Sequence, residues 1–230
     1  MARNGKKYRA VTEKVEDKVY DLSEAVDFIK SNPTASFNET FELAFRLGVD
    51  PSKSDQTVRG TVNLPHGSGK KIRVAVFASG AAADAAREAG ADIVGSEDLI
   101  EKVSGGWLEF DVAIATPEAM KEVRKLGKML GPRGLMPNPK TGTVTDDTAQ
   151  AVQASKAGRV EFRMDRHGNL HVPCGKLSFD ADQLLENAQA VIASVIESKP
   201  SATKGDYIKK FSVSSTMGVG LQVVLQEATG

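Results

Sequence analysis

The chain contains few of the residues on which covalent cross-linking and enzyme chemistry depend. Its 230 residues include one cysteine, three histidines and one tryptophan. The single Cys174 cannot form an internal disulfide, which fits a reducing cytosol. No pair of carboxylates is spaced for acid–base work, and no histidine or cysteine has the partners of a nucleophilic site. These shortages argue against a catalytic site and against a bound cofactor.

Long apolar segments are also missing. The longest uninterrupted apolar run is Val74–Ala78, whereas a membrane-spanning helix needs about 18 residues. The first nine residues carry four positive charges, but no apolar stretch follows them, so no signal peptide is predicted. We therefore expect a cytoplasmic protein with no membrane partner.

The chain has no excess of charge of one sign, because 30 basic residues balance 30 acidic ones. This balance argues against a protein that coats nucleic acid by bulk charge, yet it leaves a local basic patch open. Residues 81–118 contain nine acidic and two basic residues, and residues 121–140 contain six basic and one acidic. The basic segment is either a solvated helix face or a phosphate-binding surface. Residues 131–142 favour the second, since three prolines stiffen an exposed loop with no evident packing purpose.

The middle of the chain alternates strand and helix patterns. The predicted strands are residues 72–78, 91–94 and 111–115. The predicted helices are residues 81–89, 96–103, a segment that follows Thr116–Pro117, and residues 145–157. This alternation predicts a small, mostly parallel sheet with crossover helices.

The two flanking segments lack enough strands to close a core separately. The predicted helices are residues 21–29 and 180–198; the predicted strands are residues 37–47, 57–64, a hairpin of 159–164 with 169–172, and a pair at 209–213 and 221–225. We therefore predict a two-domain protein with α/β and α+β parts: a split α+β domain (residues 1–66 and 159–230) with an inserted small α/β, Rossmann-like domain (residues 67–158).

Two motifs resemble functional sites but fail on spacing. Residues 66–71 (HGSGKK) lack the first glycine and the hydroxyl residue of a phosphate-binding loop, and a strand follows where a helix is needed. A glycine-rich turn between domains is the better interpretation. His171 and Cys174 fall on opposite faces of a strand, with His167 in the turn before it, so no metal site is predicted.

A third segment, residues 212–220 (SVSSTMGVG), combines hydroxyls, a glycine and a methionine. Glycine permits close approach to a ribose, and the Met217 thioether can pack on a sugar or base. A structural strand-to-turn segment has the same composition, so the motif alone is weak.

Residues 121–140 (KEVRKLGKMLGPRGLMPNPK) closely resemble the signature of the "L-one" family of ribosomal proteins, which form the mobile stalk beside the exit site of the large subunit. Shorter segments across the whole chain also resemble the bacterial form of this family: residues 37–40, 47–51, 54–61, 64–67, 90–92, 158–163, 175–179 and 215–218.

The resemblance implies a structural protein of the large ribosomal subunit and no enzyme. Its split domain would bind 23S-type rRNA at the stalk, and its inserted domain would make secondary contacts or face exit-site tRNA. The family is expected to assist release of deacylated tRNA and to repress translation of its own operon mRNA.

The resemblance also implies RNA-binding residues. The main contacts carried over are Phe37, Glu39, Thr40, Ser214, Thr216, Met217 and Gly218, together with basic and polar positions near the hairpin, Arg163, Arg166, His171 and Lys176. The secondary contacts are Arg124, Lys128, Arg133 and Lys140. Phe37 shares its parity with Phe41, so burial in the core is a competing interpretation for it. A nucleotide-binding protein built on residues 70–157 and a protein-interaction scaffold remain as alternative functions.

Overall fold

A computed structural model describes residues 5–225 of the chain. The helices are α1 (Lys6–Thr12), α2 (Leu22–Ser31), α3 (Ala81–Glu88), α4 (Glu97–Ser104), α5 (Met120–Val123), α6 (Gly127–Leu130), α7 (Thr148–Ala157) and α8 (Ala181–Glu197). The strands are β1 (Thr40–Leu47), β2 (Arg59–Asn63), β3 (Val74–Phe77), β4 (Ile93–Gly95), β5 (Val112–Ala115), β6 (Arg159–Arg163), β7 (Asn169–Lys176), β8 (Ile208–Ser215) and β9 (Leu221–Gln222). Within residues 5–225, no helix is both long and apolar enough to cross a membrane.

The chain divides into two compact units. The first unit is built from the segment that ends at Lys70 and the segment that begins at Val160, and the second unit runs from Lys71 to Arg159.

The first unit contains a four-stranded antiparallel sheet with the strand order β7-β1-β8-β9. Every second side chain of β1 is fully buried: Phe41, Leu43, Phe45 and Leu47. Helices α2 and α8 pack against each other and against this sheet. The alternate side chains of β1 stay half-buried or exposed, so the sheet has one helix-covered face and one open face.

The predicted hairpin of β6 with β7 is wrong. Strand β6 pairs with β2 in a separate two-stranded sheet, whereas β7 pairs with β1. The turn between them is tight, because the Asp165 N–H donates to the Asn169 carbonyl over 2.8 Å. Beyond the turn the strands separate, since Phe162 is buried closely against Gly60, where an added Cβ would lie 2.6 Å from the phenyl ring. Turn chemistry is local, but the burial that decides strand pairing involves residues about 100 positions apart.

The second unit contains a parallel three-stranded sheet with the order β4-β3-β5, which confirms the predicted parallel arrangement. All of β3 is buried. One face, with Val74, Val76 and Ile114, packs against α3 and α7; the other, with Ala75 and Phe77, packs against α4 and the segment that contains α5 and α6. Both faces are therefore covered, as in other parallel sheets.

The prediction that residues 131–142 have no packing purpose is wrong. Leu135 and Met136 pack against the core of the second unit, and Thr141 is buried. The Asn138 side-chain oxygen accepts a hydrogen bond from the Lys140 N–H over 2.8 Å. The Asn138 backbone carbonyl accepts one from the Thr141 hydroxyl over 3.0 Å. The loop is thus anchored by its own polar groups, although Arg133 and Lys140 remain exposed.

The preceding basic segment is broken into short pieces. Helices α5 and α6 are separated by a 3₁₀ turn at Arg124–Leu126, where one helix was expected after Thr116–Pro117. The following helix, α7, begins at Thr148, and the carboxylate of Asp147 caps it by accepting from the Gln150 N–H over 3.0 Å.

The glycine-rich segment after β2 is held by a buried asparagine of α8. The Asn187 side-chain oxygen accepts from the His66 N–H over 3.1 Å. Its amide group donates to the Gly67 carbonyl over 3.0 Å and to the Cys174 carbonyl over 2.7 Å. One side chain therefore joins α8, β7 and the chain that leaves β2.

We expect Asn187→Ala to lower the free energy of unfolding of the first unit by about 2 kcal/mol or more, because buried backbone groups lose their partners. Denaturant unfolding followed by far-UV circular dichroism measures this loss. Gln189→Ala, at an exposed position of the same helix, is the control and should change stability by less than about 0.5 kcal/mol. Equal effects of the two substitutions contradict the role given to Asn187.

Candidate nucleic-acid interface

Three strand ends meet at one edge of the sheet in the first unit. Strand β1 begins where β7 and β8 end, and the register pairs Thr40 with Lys176 and Phe41 with Ser215. Residues far apart in sequence are thereby collected at one place. We call this the strand-end site and define it as residues 34–40, 176–178 and 214–218.

The carboxylate of Glu39 lies at the centre of the strand-end site and is buried. Its Oε1 accepts from the Thr34 N–H at 3.0 Å, the Thr34 hydroxyl at 3.3 Å and the Ala35 N–H at 2.8 Å. Its Oε2 accepts from the Ser215 hydroxyl at 2.7 Å and the Met217 N–H at 3.0 Å. Glu39 therefore joins the loop before β1 to the turn after β8, and it faces the interior of the protein.

The environment of Glu39 favours its charged form. Burial alone would raise the pKa of the carboxyl group, but the hydrogen bonds from the Ser215 hydroxyl and from the N–H groups of Ala35, Met217 and Thr34 outweigh it and lower the pKa below its ordinary value of 4.5. The ionised carboxylate therefore links two loops inside the protein, and its charge is stabilised by hydrogen-bond donors.

A second polar group lies beside Glu39 and consists of Thr40, Thr216 and Lys176. The Thr40 N–H donates to the Thr216 hydroxyl over 2.9 Å, and the Thr216 N–H donates to the Thr40 carbonyl over 3.1 Å. The Lys176 ammonium donates to the Thr40 hydroxyl over 2.8 Å. Thr216 is exposed and Lys176 is half-buried, so both polar ends are fixed by the protein yet reachable from solvent.

Gly218 is required by a close approach inside the site. A Cβ at this position would lie 2.3 Å from the Ser215 hydroxyl oxygen, and it is this hydroxyl group that donates to Glu39. Any side chain at residue 218 would displace that hydroxyl. The glycine expected to allow close contact with RNA is therefore needed for the internal packing of the site.

Phe37 and Met217 expose large apolar surfaces at the outer rim. Phe37 is 56% exposed and Met217 is 57% exposed, so Phe37 is not the core residue that its parity with Phe41 allowed. Both side chains line one surface cleft of about 510 Å³, together with Lys7 and Tyr8 of α1.

The open face of the sheet continues from the strand-end site. On this face the register sets Glu42 between Pro173 and Ser214, and Ala44 between His171 and Ser212. His171 is exposed and Ser214 is half-buried. These two predicted residues therefore share a surface with Thr40 and Lys176.

Two predicted residues lie elsewhere. Arg163 is exposed on β6, which belongs to the separate two-stranded sheet. Arg166 is exposed in the turn before β7, at the opposite end of that strand from Lys176. The length of β7 separates the turn from the strand-end site by about 23 Å. The structure does not bring Arg163 and Arg166 into the strand-end site.

The four secondary residues are all exposed in the second unit: Arg124, Lys128, Arg133 and Lys140. Arg124 belongs to the 3₁₀ turn between α5 and α6, and Lys128 lies in α6. Their charges project from short helical turns and from an anchored loop, so this basic surface has a defined backbone.

Four further residues at this candidate surface were not predicted from the sequence: Lys7, Tyr8, Arg46 and Lys210. Arg46 and Lys210 are exposed partners on the open face, and the alternation along β1 and β8 contained the signal for them. Lys7 and Tyr8 belong to the basic start of the chain, where the sequence pattern does not indicate a binding site. Their position beside Phe37 depends on tertiary packing.

The described part of the chain does not gather metal-binding side chains, since residues 5–225 hold no group of three or more such residues. Cys174 is fully buried, and this burial, with a smaller effect from the Glu42 carboxylate, raises the pKa of its thiol. A neutral, buried thiol is a poor nucleophile.

Comparison with known proteins points to one family. The model of the "Ribosomal protein L1p/L10e family" matches residues 29–219. The chain is similar to large ribosomal subunit protein uL1 of Mycobacteroides abscessus (55% identical, covering 97% of this chain and 95% of the relative) and of Cutibacterium acnes (56% identical, 96% of each). The protein of the same name from Thermobifida fusca is 54% identical over 96% of this chain and 94% of its own length. These relatives are named as ribosomal proteins, which confirms the predicted resemblance and the prediction of a non-enzymatic protein.

We expect Glu39→Gln to destabilise the first unit by about 1–3 kcal/mol near neutral pH, because an amide NH₂ would face backbone donors. The lowered pKa means that ionised Glu39 stabilises the fold above pH 4.5, and that this contribution is lost as the pH falls through the lowered pKa of the folded state. The difference between wild type and variant should therefore shrink in acid.

Urea unfolding at about pH 7 and about pH 3 measures this difference. Glu42→Gln, on the open face of the same strand, is the matched control and should have a small effect at both pH values. A difference for Glu39→Gln that grows as the pH falls contradicts the assignment.

Proposed function

The chain belongs to the ribosomal protein L1p/L10e family, and from this membership we propose that it is a component of the large ribosomal subunit that binds the 23S-type rRNA of the stalk. The strand-end site and the adjoining open sheet face form the proposed surface. The observation that carries the proposal is the assembly of Thr40, Lys176 and Thr216 into one hydrogen-bonded group beside exposed Phe37 and Met217.

The chemistry of this group suits RNA better than DNA. The Thr216 hydroxyl and neighbouring backbone groups can hydrogen-bond to 2′-hydroxyls, which identify RNA without reading much sequence. The Lys176 ammonium has donors left for a phosphate after its bond to Thr40. Because Glu39 already orders both loops of the site, little conformational entropy is lost on binding.

The zero net charge of the chain limits how much of the affinity phosphate contacts can supply. Exposed or half-buried cations near this surface are few: Arg46, Lys176 and Lys210 on the sheet, and Lys6, Lys7 and Arg9 on α1. Recognition then depends on the shape of the RNA and on a small number of well-placed contacts. Arg163 and Arg166 would contact the RNA only where it extends beyond the four-stranded sheet.

The exposed cations of the second unit, Arg124, Lys128, Arg133 and Lys140, support a further contact with exit-site tRNA or with rRNA. Through that contact the protein would assist release of deacylated tRNA. The acidic remainder of the same unit would not attract phosphates, so this contact is confined to residues 121–140.

The same strand-end site would also serve repression of the protein's own operon mRNA. A single site with two RNA ligands makes the two complexes mutually exclusive, so rRNA of higher affinity leaves only surplus protein to bind the messenger. The protein would thus act in the cytoplasm, bound to the ribosome or to its messenger. Competition between the rRNA fragment and the mRNA leader tests this directly, and a ternary complex would contradict it.

We expect Thr216→Val to weaken binding to the organism's own stalk rRNA fragment by about 2- to 10-fold, because one neutral hydrogen bond contributes about 0.5–1.5 kcal/mol. Thr216→Ser keeps the hydroxyl and should bind as the wild type does. Gel-shift titration with an unrelated structured RNA as competitor measures both. Wild-type protein that shows no preference for the rRNA fragment overturns the proposed function and favours the scaffold alternative.

The salt dependence of binding provides a second test. With about four or five phosphates neutralised, the slope of log K against log salt concentration should be about −3 to −5. Titrations at several salt concentrations measure it. A slope that corresponds to roughly ten or more phosphate contacts would contradict recognition by a few contacts.

A further inference from the structure

The second unit has a surface cleft of its own where strand β4, helix α4 and the turn after α4 meet. The cleft is lined by Ile93, Leu99, Lys102 and Trp107, and we call it the Trp107 cleft. Its volume of about 440 Å³ falls within the range of ligand-sized sites. None of the four lining residues belongs to the strand-end site or to the basic segment of residues 121–140.

The position of Trp107 is fixed by the turn that follows α4. The Trp107 N–H donates to the Lys102 carbonyl over 3.2 Å, and Gly106 permits this turn because its φ is +98°. The indole ring packs against the buried ring of Phe110, with 5.7 Å between the ring centroids. Trp107 is nevertheless only half-buried, so a fixed aromatic ring keeps apolar surface that the core does not use.

The charge beside the Trp107 cleft is negative. Within residues 81–118, ion pairs engage four of the nine acidic residues: Asp84, Asp92, Glu109 and Asp111. Of the five that have no ion pair within residues 5–225, three are exposed on α4: Glu97, Asp98 and Glu101. Asp98 and Glu101 are the chain neighbours of the lining residues Leu99 and Lys102. The unpaired acidic charge of this segment is therefore concentrated next to the cleft.

Lys102 supplies the positive charge among the lining residues, and it is exposed. A lysine stem can line an apolar surface while its ammonium group stays in water. Helix α4 carries three acidic residues and this one basic residue, so its net charge remains negative. The apolar part of Lys102 thus adds to the cleft without reversing the charge around it.

This combination favours a protein segment over RNA as the occupant. Phosphates beside α4 would be repelled, whereas Lys or Arg side chains would be attracted to its carboxylates. Tryptophan surrounded by aliphatic side chains is typical of the places where one apolar residue of a protein partner is anchored. A charged rim around such an anchor site selects the partner by its complementary charge.

We propose that the Trp107 cleft binds a protein partner through one apolar side chain, presented by a segment rich in Lys or Arg whose charges face Glu97, Asp98 and Glu101. The inference does not depend on the proposed RNA-binding function. It gives the two charged surfaces of the second unit different partners, a basic protein segment at α4 and RNA at residues 121–140.

Trp107 provides the measurement, because it is the single tryptophan of the chain. The full-length protein is titrated at low ionic strength with acetyl-KKLKK-amide, and its tryptophan emission is recorded. The emission should shift to shorter wavelength as the leucine displaces water from the indole ring. The peptide acetyl-KKSKK-amide, which lacks the apolar side chain, should bind about 10-fold more weakly or worse.

Charge variants test the acidic rim without altering the apolar lining. Asp98→Lys combined with Glu101→Lys should weaken binding of acetyl-KKLKK-amide by about 3- to 30-fold. Glu88→Lys combined with Glu118→Lys is the matched control, since both residues are exposed, neither lines the cleft and the net charge changes equally. This control should bind nearly as the wild type does.

Lys102→Met keeps an apolar stem but removes the positive charge. It should therefore strengthen binding of acetyl-KKLKK-amide by about 1.5- to 5-fold. The same change would weaken binding of an RNA phosphate, so the direction of the effect distinguishes the two kinds of occupant. Oligouridylate, titrated in the same way, is the RNA probe.

Each outcome decides for or against the inference. A preference for the leucine peptide that is lost in the α4 double variant and kept in the control supports it. Equal affinity for the two lysine-rich peptides, or equal weakening by both double variants, overturns it. A response to oligouridylate at lower concentration than to the peptide assigns the cleft to RNA and also overturns it. So does the lack of a saturable response below about 1 mM peptide.

Discussion

The buried carboxylate of Glu39 is the interaction on which the candidate site depends. The two oxygens of this carboxylate join two segments that lie about 180 residues apart in sequence, the loop before β1 and the turn after β8. A carboxylate without partners could not remain charged in this position, because desolvation disfavours the ionised form. Five donor groups restore that loss. An acidic residue at the centre of a surface proposed to bind RNA is therefore compatible with phosphates. The Glu39 carboxylate is buried, and both of its oxygens already accept hydrogen bonds from the protein.

The asymmetry of the four-stranded sheet explains why the site is accessible. Helices α2 and α8 cover one face and bury the apolar half of β1, so the fold is secured without using the other face. The remaining face and its edge carry hydroxyls, amides, a few cations and the half-buried carboxylate of Glu42. A domain built in this way can bind a large ligand with a polar surface while its core stays intact. Local placement of charge then matters more than net charge, which is zero for the whole chain.

Much of the fold could be predicted because its signals are local. The alternation of apolar residues predicted β1. The helix and strand patterns of the middle segment predicted a parallel sheet, which the structure confirms. The partner of β6 could not be predicted, because the burial of Phe162 against Gly60 joins distant segments. The anchoring of residues 131–142 was missed for the same reason: their composition is typical of an exposed loop, but Leu135 and Met136 pack on the core.

The sequence by itself determined the family, the order of most helices and strands, and most of the residues that compose the strand-end site, since motifs and periodicity are properties of neighbouring positions. Only the tertiary structure decided what those residues do. It buried Glu39, exposed Phe37, assigned Gly218 to internal packing, and set α1 beside the cleft. The physical reason is that burial, close approach and hydrogen-bond satisfaction are set by which distant segments meet, and strand pairing over long separations decides those meetings.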